Sequence, residues 1–409
     1  MEREIKMSTI VEIINKPLYK VPSMKEIESL PWSGYNVVST FSGCGGSCLG
    51  YRIARHRVLW ANEFIPAAQD TYKANHPHSI LDRRDIRKVQ PEEILQSIQL
   101  EQGEIDIFDG SPPCASFSTA GKREAAWGKV KTYSDTKQRV DDLFFEYARL
   151  LKGLQPKVFV AENVSGLVKG TAKGYFLEIL KELKACGYVV EAKVLDAQWL
   201  GVPQTRQRLI FVGVRNDLVA KYHVKPAHPK PLPYRYSVRD AIPWIIKQGD
   251  NGGFGKGRWQ DAGLAPSGTL GASPQTGNGK FPPSLVEAET NISKYAIGVL
   301  WDEIKPGESH PKRFNLTKPA IDHPSPTITQ TMGNDKGQVK YAANVVHPLE
   351  KRYFSIAECK RICAFPDDFA LTGTYAQQWE RLGRAVPPVM MSLIAKTIQE
   401  EVLDRCKQV

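Results

Sequence analysis

Ile105-Asp106-Ile107-Phe108 is an apolar run too short for a helix, and it is followed by Gly110 and then by two prolines, Pro112 and Pro113. Proline lacks a backbone donor and restricts the residue before it, so no helix can continue there. The run reads as a buried parallel strand. Just past its end comes Cys114. Two other short runs behave alike: 35–41 passes into Ser42-Gly43-Cys44-Gly45-Gly46, and 157–161 delivers Glu162-Asn163-Val164. With helical patterns over 49–55, 66–75, 141–152 and 175–186 between them, the chain predicts an α/β fold with a doubly wound, mostly parallel sheet. Open sheets of this kind place their ligands at the carboxyl ends of the strands.

The 409 residues allow one large α/β domain and a smaller second one. We expect an N-terminal extension over 1–34, a catalytic and cofactor-binding domain over 35–215, and a loop-rich domain over 216–346. A C-terminal segment, 347–409, is expected to return to the first domain. In 216–346 Pro and Gly become dense, periodicity fades, and 16 Lys and Arg stand against 11 Asp and Glu. The whole chain carries a formal charge of +11, which favours an anionic partner, nucleic acid first. No apolar run reaches the roughly 18 residues of a membrane span, and no signal-peptide core opens the chain. A soluble, cytoplasmic protein acting as a monomer is expected. Cys44/Cys48 and Cys359/Cys363 have no flanking His cluster, so no metal is expected.

The strand ends differ in their chemistry. Strand, glycine turn and helix at 35–55 let backbone N–H groups face a ligand. The spacing is not that of a dinucleotide fingerprint, and a nucleoside with a carboxylate-bearing tail fits as well. Glu63, at the end of the second strand, can bind ribose hydroxyls, and Phe64 offers a face to a purine. Asp85, with Ile86, is expected to close the third strand and to accept from an exocyclic amine. The long segment 115–139 holds Lys122, Arg123, Lys129, Lys131, Lys137 and Arg139, which suits phosphates. If 204–208 is extended, Gln204, Arg206 and Arg208 share a face, where two guanidiniums make an anion clamp. A thiolate such as that of Cys114 can add to C6 of a pyrimidine and make C5 nucleophilic, provided a carboxyl such as Glu162 grips N3. A duplex base must leave the stack to reach such a site.

These motifs, in this order over nearly all of 35–405, resemble the DNA (cytosine-5) methyltransferases that use S-adenosylmethionine, of prokaryotic or phage type. The resemblance implies a Rossmann-like methyltransferase sheet with a smaller target recognition domain at 216–346. It implies that Cys114, Glu162, Arg206 and Arg208 are catalytic. Phe41, Ser42, Gly43, Cys44, Gly45, Gly46, Glu63, Phe64, Asp85, Ile86, Pro112, Leu143, Arg384, Ala385 and Val386 would hold the cofactor. Ser118, Lys122, Arg123 and Arg139 would contact double-stranded DNA. Two departures stand out. Ala115 follows the nucleophile where the family has Gln, and Arg384 stands where the family has Asn. Arg384 either turns to a carboxylate or phosphate, or it accommodates a carboxylated donor, carboxy-S-adenosylmethionine. Cytosine in tRNA is the alternative substrate for the same scaffold.

Overall fold

The computed structural model describes residues 16–113, 131–133, 136–138, 142–169, 173–245, 290–293, 295–330 and 345–407. The described chain forms two compact units. One contains Ile27–Asp196, Gln207–Lys230 and Met390–Val409; the other contains the N-terminal residues up to Glu26, Ala197–Arg206 and Pro231–Val389, in their described parts. This grouping by packing does not follow the linear division at 34, 215 and 346.

The first unit is built on a seven-stranded sheet. Its strands are β1 (Asn36–Thr40), β2 (Arg57–Asn62), β3 (Ile80–Asp82), β4 (Ile107–Gly110), β5 (Val158–Val164), β6 (Tyr188–Asp196) and β7 (Gln207–Arg215). Their spatial order is β3-β2-β1-β4-β5-β7-β6. The first five are parallel, and β7 runs antiparallel to both β5 and β6. The order reverses between β1 and β4, the point at which such sheets open a crevice. Helices α1 (Gly46–Ile53), α2 (Pro66–Asn75), α3 (Pro91–Ile98), α4 (Leu143–Leu154) and α5 (Lys173–Ala185) connect the strands.

Both faces of the central strands are buried, as in a sheet covered on each side. One face carries Val38, Trp60, Phe108, Phe159, Ala161 and Phe211 against Leu143, Tyr147, Leu151 and Ile179 of the helices. Alternation sends Val37, Ile107, Val160 and Ile210 to the other face, where they are equally buried. Gly110 ends β4 because a Cβ there would lie 2.5 Å from the Tyr147 ring and 2.6 Å from Thr40 Oγ1.

Two local expectations are corrected. The third strand stops at Asp82, and Asp85 instead caps a short turn over Ile86–Lys88 by accepting from Arg87 N. A short acid that can bond its own downstream backbone competes with a strand ladder. Glu162 lies inside β5 rather than after it, because β7 keeps pairing as far as Arg208 with Val164. In the second unit, Tyr375–Arg384 is a helix that the sequence reading passed over, opened by a Thr374/Gln377 capping box. Arg384 therefore ends one helix, and the next begins at Pro388. Among the described residues no helix is long and apolar enough to cross a membrane.

Candidate active site

The glycine loop leaves β1 through Phe41, whose φ of 53° is left-handed, and continues through Gly43 at φ 57° and Gly45 at φ 89°. A non-glycine residue in that region costs of order 1–3 kcal/mol and marks a turn held by its surroundings. Those surroundings are visible. Ser42 N donates to Asn62 O at 3.0 Å, and Gly43 N donates to Glu63 Oε2 at 2.7 Å. The other carboxylate oxygen of Glu63 accepts from Ile65 N at 2.7 Å. Each oxygen has a further lone pair, so Glu63 can take hydroxyl donors while it holds the loop. At Gly43 a Cβ would meet nothing within 4 Å, which leaves the loop open on that side. Gly45 precedes α1 without a side-chain cap, so the first N–H groups of the helix are not satisfied by one.

Gly45 is fixed from its flank by His76, whose Nε2 lies 3.2 Å from Gly45 O. Arg52 Nη1 lies 3.3 Å from His76 Nδ1. A guanidinium only donates, so Nδ1 accepts and Nε2 carries the proton to the carbonyl. Burial, with Arg52 second, pushes the His76 pKa down to about 3, and the ring stays neutral. A Cβ on Gly45 would sit 2.3 Å from that Nε2.

Phe64 packs against the apolar cluster, while Ile86 and Leu143 are buried. The Asp85 carboxylate is engaged by Arg87 at 3.0 Å, and the same guanidinium reaches Asp142 at 2.6 Å. Cys44 and Cys48 are both buried; Cys48 accepts from Tyr72 Oη at 3.4 Å, and burial raises its thiol pKa to about 11. Among the described residues no group of three or more His, Cys, Asp or Glu could hold a metal ion.

At the ends of β4 and β5 the chain exits are tied together. Asn163 Nδ2 donates to Pro112 O at 3.3 Å, and Ser111 N donates to Thr40 O at 3.4 Å. Glu162 is buried at 9 % exposure and pairs with Arg208, Nε to Oε1 at 2.6 Å. The register explains the pair: Ile210 lies opposite Glu162, so Arg208 is its diagonal neighbour on the same face.

The expected clamp of two arginines on one face is not what forms. Arg206 belongs to the second unit, is buried at 1 %, and donates to Ile328 O at 3.2 Å and Gly383 O at 2.9 Å. Alternation fails because Gln204–Thr205 pairs with Ser325–Pro326, and Gln207 starts a different strand. Arg384 reaches the Glu380 carboxylate one turn earlier at 3.2 Å; Ala385 is partly exposed and Val386 buried. Cys114, Ser118, Lys122, Arg123 and Arg139 lie outside the described residues.

Two residues of this neighbourhood escaped sequence reasoning, His76 and Asp109. Asp109 accepts from Ser39 Oγ at 2.9 Å, Ser47 Oγ at 2.8 Å and Tyr51 Oη at 3.1 Å. An acid inside an otherwise apolar strand was the available signal for it; nothing local pointed to His76.

A sheet of this order, with a glycine loop after β1 and an acid after β2, can hold a nucleoside cofactor at its strand ends. The comparisons narrow the class. The family model of C-5 cytosine-specific DNA methylases matches residues 35–400. The Type II methyltransferase M.NgoPII of Neisseria gonorrhoeae is 37% identical over 384 residues, 92% of this chain and 99% of its own. M.FnuDI of Fusobacterium nucleatum, also a Type II methyltransferase, is 30% identical over 376 residues, 91% and 96% of the two chains. Among solved structures, a candidate DNA modification methyltransferase encoded within an E. coli prophage shares the fold. It has a TM-score of 0.61 at 22% identity, over 91% of this chain and 100% of that one. The chain belongs to the C-5 cytosine-specific DNA methylase family. It is a DNA-binding enzyme that transfers a methyl group from S-adenosylmethionine to C5 of cytosine.

Proposed function

We propose that the enzyme modifies a cytosine swung out of a short, specific duplex DNA sequence, through a covalent bond between Cys114 and C6. The observation that carries this reading is the tie between the two strand exits. Asn163 holds the carbonyl of Pro112, two residues before Cys114, while the adjacent Glu162 is fixed by Arg208. A thiol delivered from the first exit and a carboxyl on the second suit attack at C6 and a hydrogen bond at N3 of one ring. The Cys114 thiolate would form the bond to C6 and leave C5 as the nucleophile; after methyl transfer, with S-adenosylhomocysteine as the leaving group, the C5 proton would pass to water and the C6–sulfur bond would break to release the thiolate. Arg208 would orient Glu162. Arg206, bonded to two carbonyls, would act by holding its own loop.

S-adenosylmethionine, when bound, supplies an electrophilic methyl group. Phe41 to Gly46 would surround its tail, Glu63 its ribose hydroxyls, and Phe64, Ile86, Pro112 and Leu143 its base and walls. The Asp85 carboxylate, already accepting from Arg87, would have to accept from the amine of the base as well. Arg384, paired with Glu380, needs no carboxylate on the donor, which favours the ordinary cofactor. Replacing Arg384 by Asn should leave the ratio of Kd values for S-adenosylmethionine and carboxy-S-adenosylmethionine unchanged. A shift of tenfold or more toward the ordinary donor would restore the carboxylated one.

Residues 216–346 would read the target sequence, and Ser118, Lys122, Arg123 and Arg139 would contact phosphates. The bacterial sources of the relatives suggest a bacterial or phage cytoplasm. Cys114→Ser should abolish methylation of genomic DNA while DNA binding persists. Methylation that survives the substitution would remove Cys114 from the mechanism, and activity on tRNA alone would replace the substrate.

A further inference from the structure

Asp109 is buried at 1 % exposure in the middle of the sheet. Its partners among the described residues are three hydroxyls and no cation. Burial pushes the carboxyl up to about 6 against the three hydroxyl bonds, and Glu162 adds to the rise. An apolar side chain would fill the position at less cost, so packing alone does not explain an acid there.

The placement of the three hydroxyls does. Ser39 lies on β1, before the glycine loop, and Ser47 and Tyr51 lie on α1, after it. The carboxylate therefore closes a bridge beneath the loop. An ionised carboxylate only accepts, so all three hydroxyls must point their protons at it. Ser39 Oγ then has only lone pairs left for Ser42 Oγ, 3.1 Å away. The charge on Asp109 thus leaves Ser39 Oγ as an acceptor toward Ser42 in the loop, whose hydroxyl also lies 3.3 Å from Ser39 O. The titratable groups facing it are Tyr51 and Cys48 on α1, Tyr147 on α4 and Glu162 on β5.

We propose that Asp109 is a positioning residue for cofactor binding: its carboxylate, acting through Ser39, Ser47 and Tyr51, holds the Phe41–Gly46 loop in the shape that receives S-adenosylmethionine. This rests on the reading of that loop as the cofactor site. When Asp109 takes up a proton it becomes a donor, one of the three hydroxyls must turn round to accept, and the bridge between β1 and α1 beneath the loop is weakened.

The test is the Kd of the full-length enzyme for S-adenosylhomocysteine, measured calorimetrically from pH 8 to pH 5 without turnover. The wild type should weaken about tenfold as pH falls through the titration of Asp109, the scale of one hydrogen bond to a charged group. Asp109→Asn keeps the size of the side chain and should bind about tenfold more weakly at pH 7.5 with a flat profile. If the Asn variant does not fold by circular dichroism, Ser39→Ala cuts the link to Ser42 and leaves the carboxylate. It should show the same loss and the same flattening. An Asn variant as tight as wild type, or one weaker but with the wild-type pH profile, overturns the proposal. Glu63→Gln separates the two readings: loss of affinity there with none in Asp109→Asn condemns the role of Asp109 alone. No loss in either removes the loop as the cofactor site and the proposal with it.

Discussion

Asp109 and Glu162 lie on neighbouring parallel strands and on the same face of the sheet, and the fold treats them in opposite ways. Asp109 pairs with Val160 across the ladder, and Glu162 is two residues further toward the strand end. Glu162 meets a guanidinium at 2.6 Å, so its charge is balanced where it stands. Asp109 meets only hydroxyls, and its pKa rises to about 6. Hydroxyl dipoles can orient around a buried charge but cannot cancel it. The lesson is that a carboxylate paired with a cation suits steady contact with a substrate. One held by dipoles alone links the shape of its surroundings to its own charge.

The largest effect tests the cation-paired end. Glu162→Gln keeps the shape but cannot offer the carboxyl, and kcat should fall by about 10²–10⁴. Single-turnover kinetics would read this, and the Kd for S-adenosylhomocysteine should not move. An equal loss in cofactor affinity would mean that the two ends are not separate sites.

The next test concerns the shape of the loop itself. Gly45→Ala adds a Cβ at φ 89° and 2.3 Å from His76 Nε2. Destabilisation of about 2 kcal/mol or more is expected from backbone strain and the clash together. Urea denaturation measures it, and an unchanged midpoint would show that the loop moves freely away from His76.

The smallest effect concerns stability at the dipole-held end. The folded pKa of about 6 lies above the usual value near 3.9, so the ionised form opposes folding at neutral pH. Two pKa units correspond to about 3 kcal/mol, an upper estimate for this group. Below pH 6 the folded state takes up a proton that the unfolded chain holds only near pH 4, so wild type gains as pH falls through that window. Asp109→Asn should therefore be the more stable form at pH 8, with its advantage shrinking between pH 6 and pH 4. Midpoints compared across that range check the sign, and an advantage that grows toward acid would contradict it.

Much of the fold was legible because its signals are local. Strands β1, β2 and β5 announce themselves as apolar runs, and α2 begins and ends where Pro66 and Asn75 suggest. The glycine loop, Glu63 and the Glu162 motif were legible for the same reason: each is a few contiguous residues at the end of a strand. The extent of β5 was not, because it depends on how far β7 continues to pair with it. The separation of Arg206 from Arg208 was hidden too, since it turns on Ser325–Pro326, more than a hundred residues away, pairing with Gln204–Thr205.

The amino-acid order by itself determined the family and most of the alternation of strand and helix, since these follow from neighbours along the chain. Only the tertiary structure decided which charge meets which partner. That choice gave Glu162 an arginine, Arg206 two carbonyls and Asp109 three hydroxyls. The free energy of a buried charge is set by the groups that surround it in space, and for these three residues most of those groups are distant in sequence.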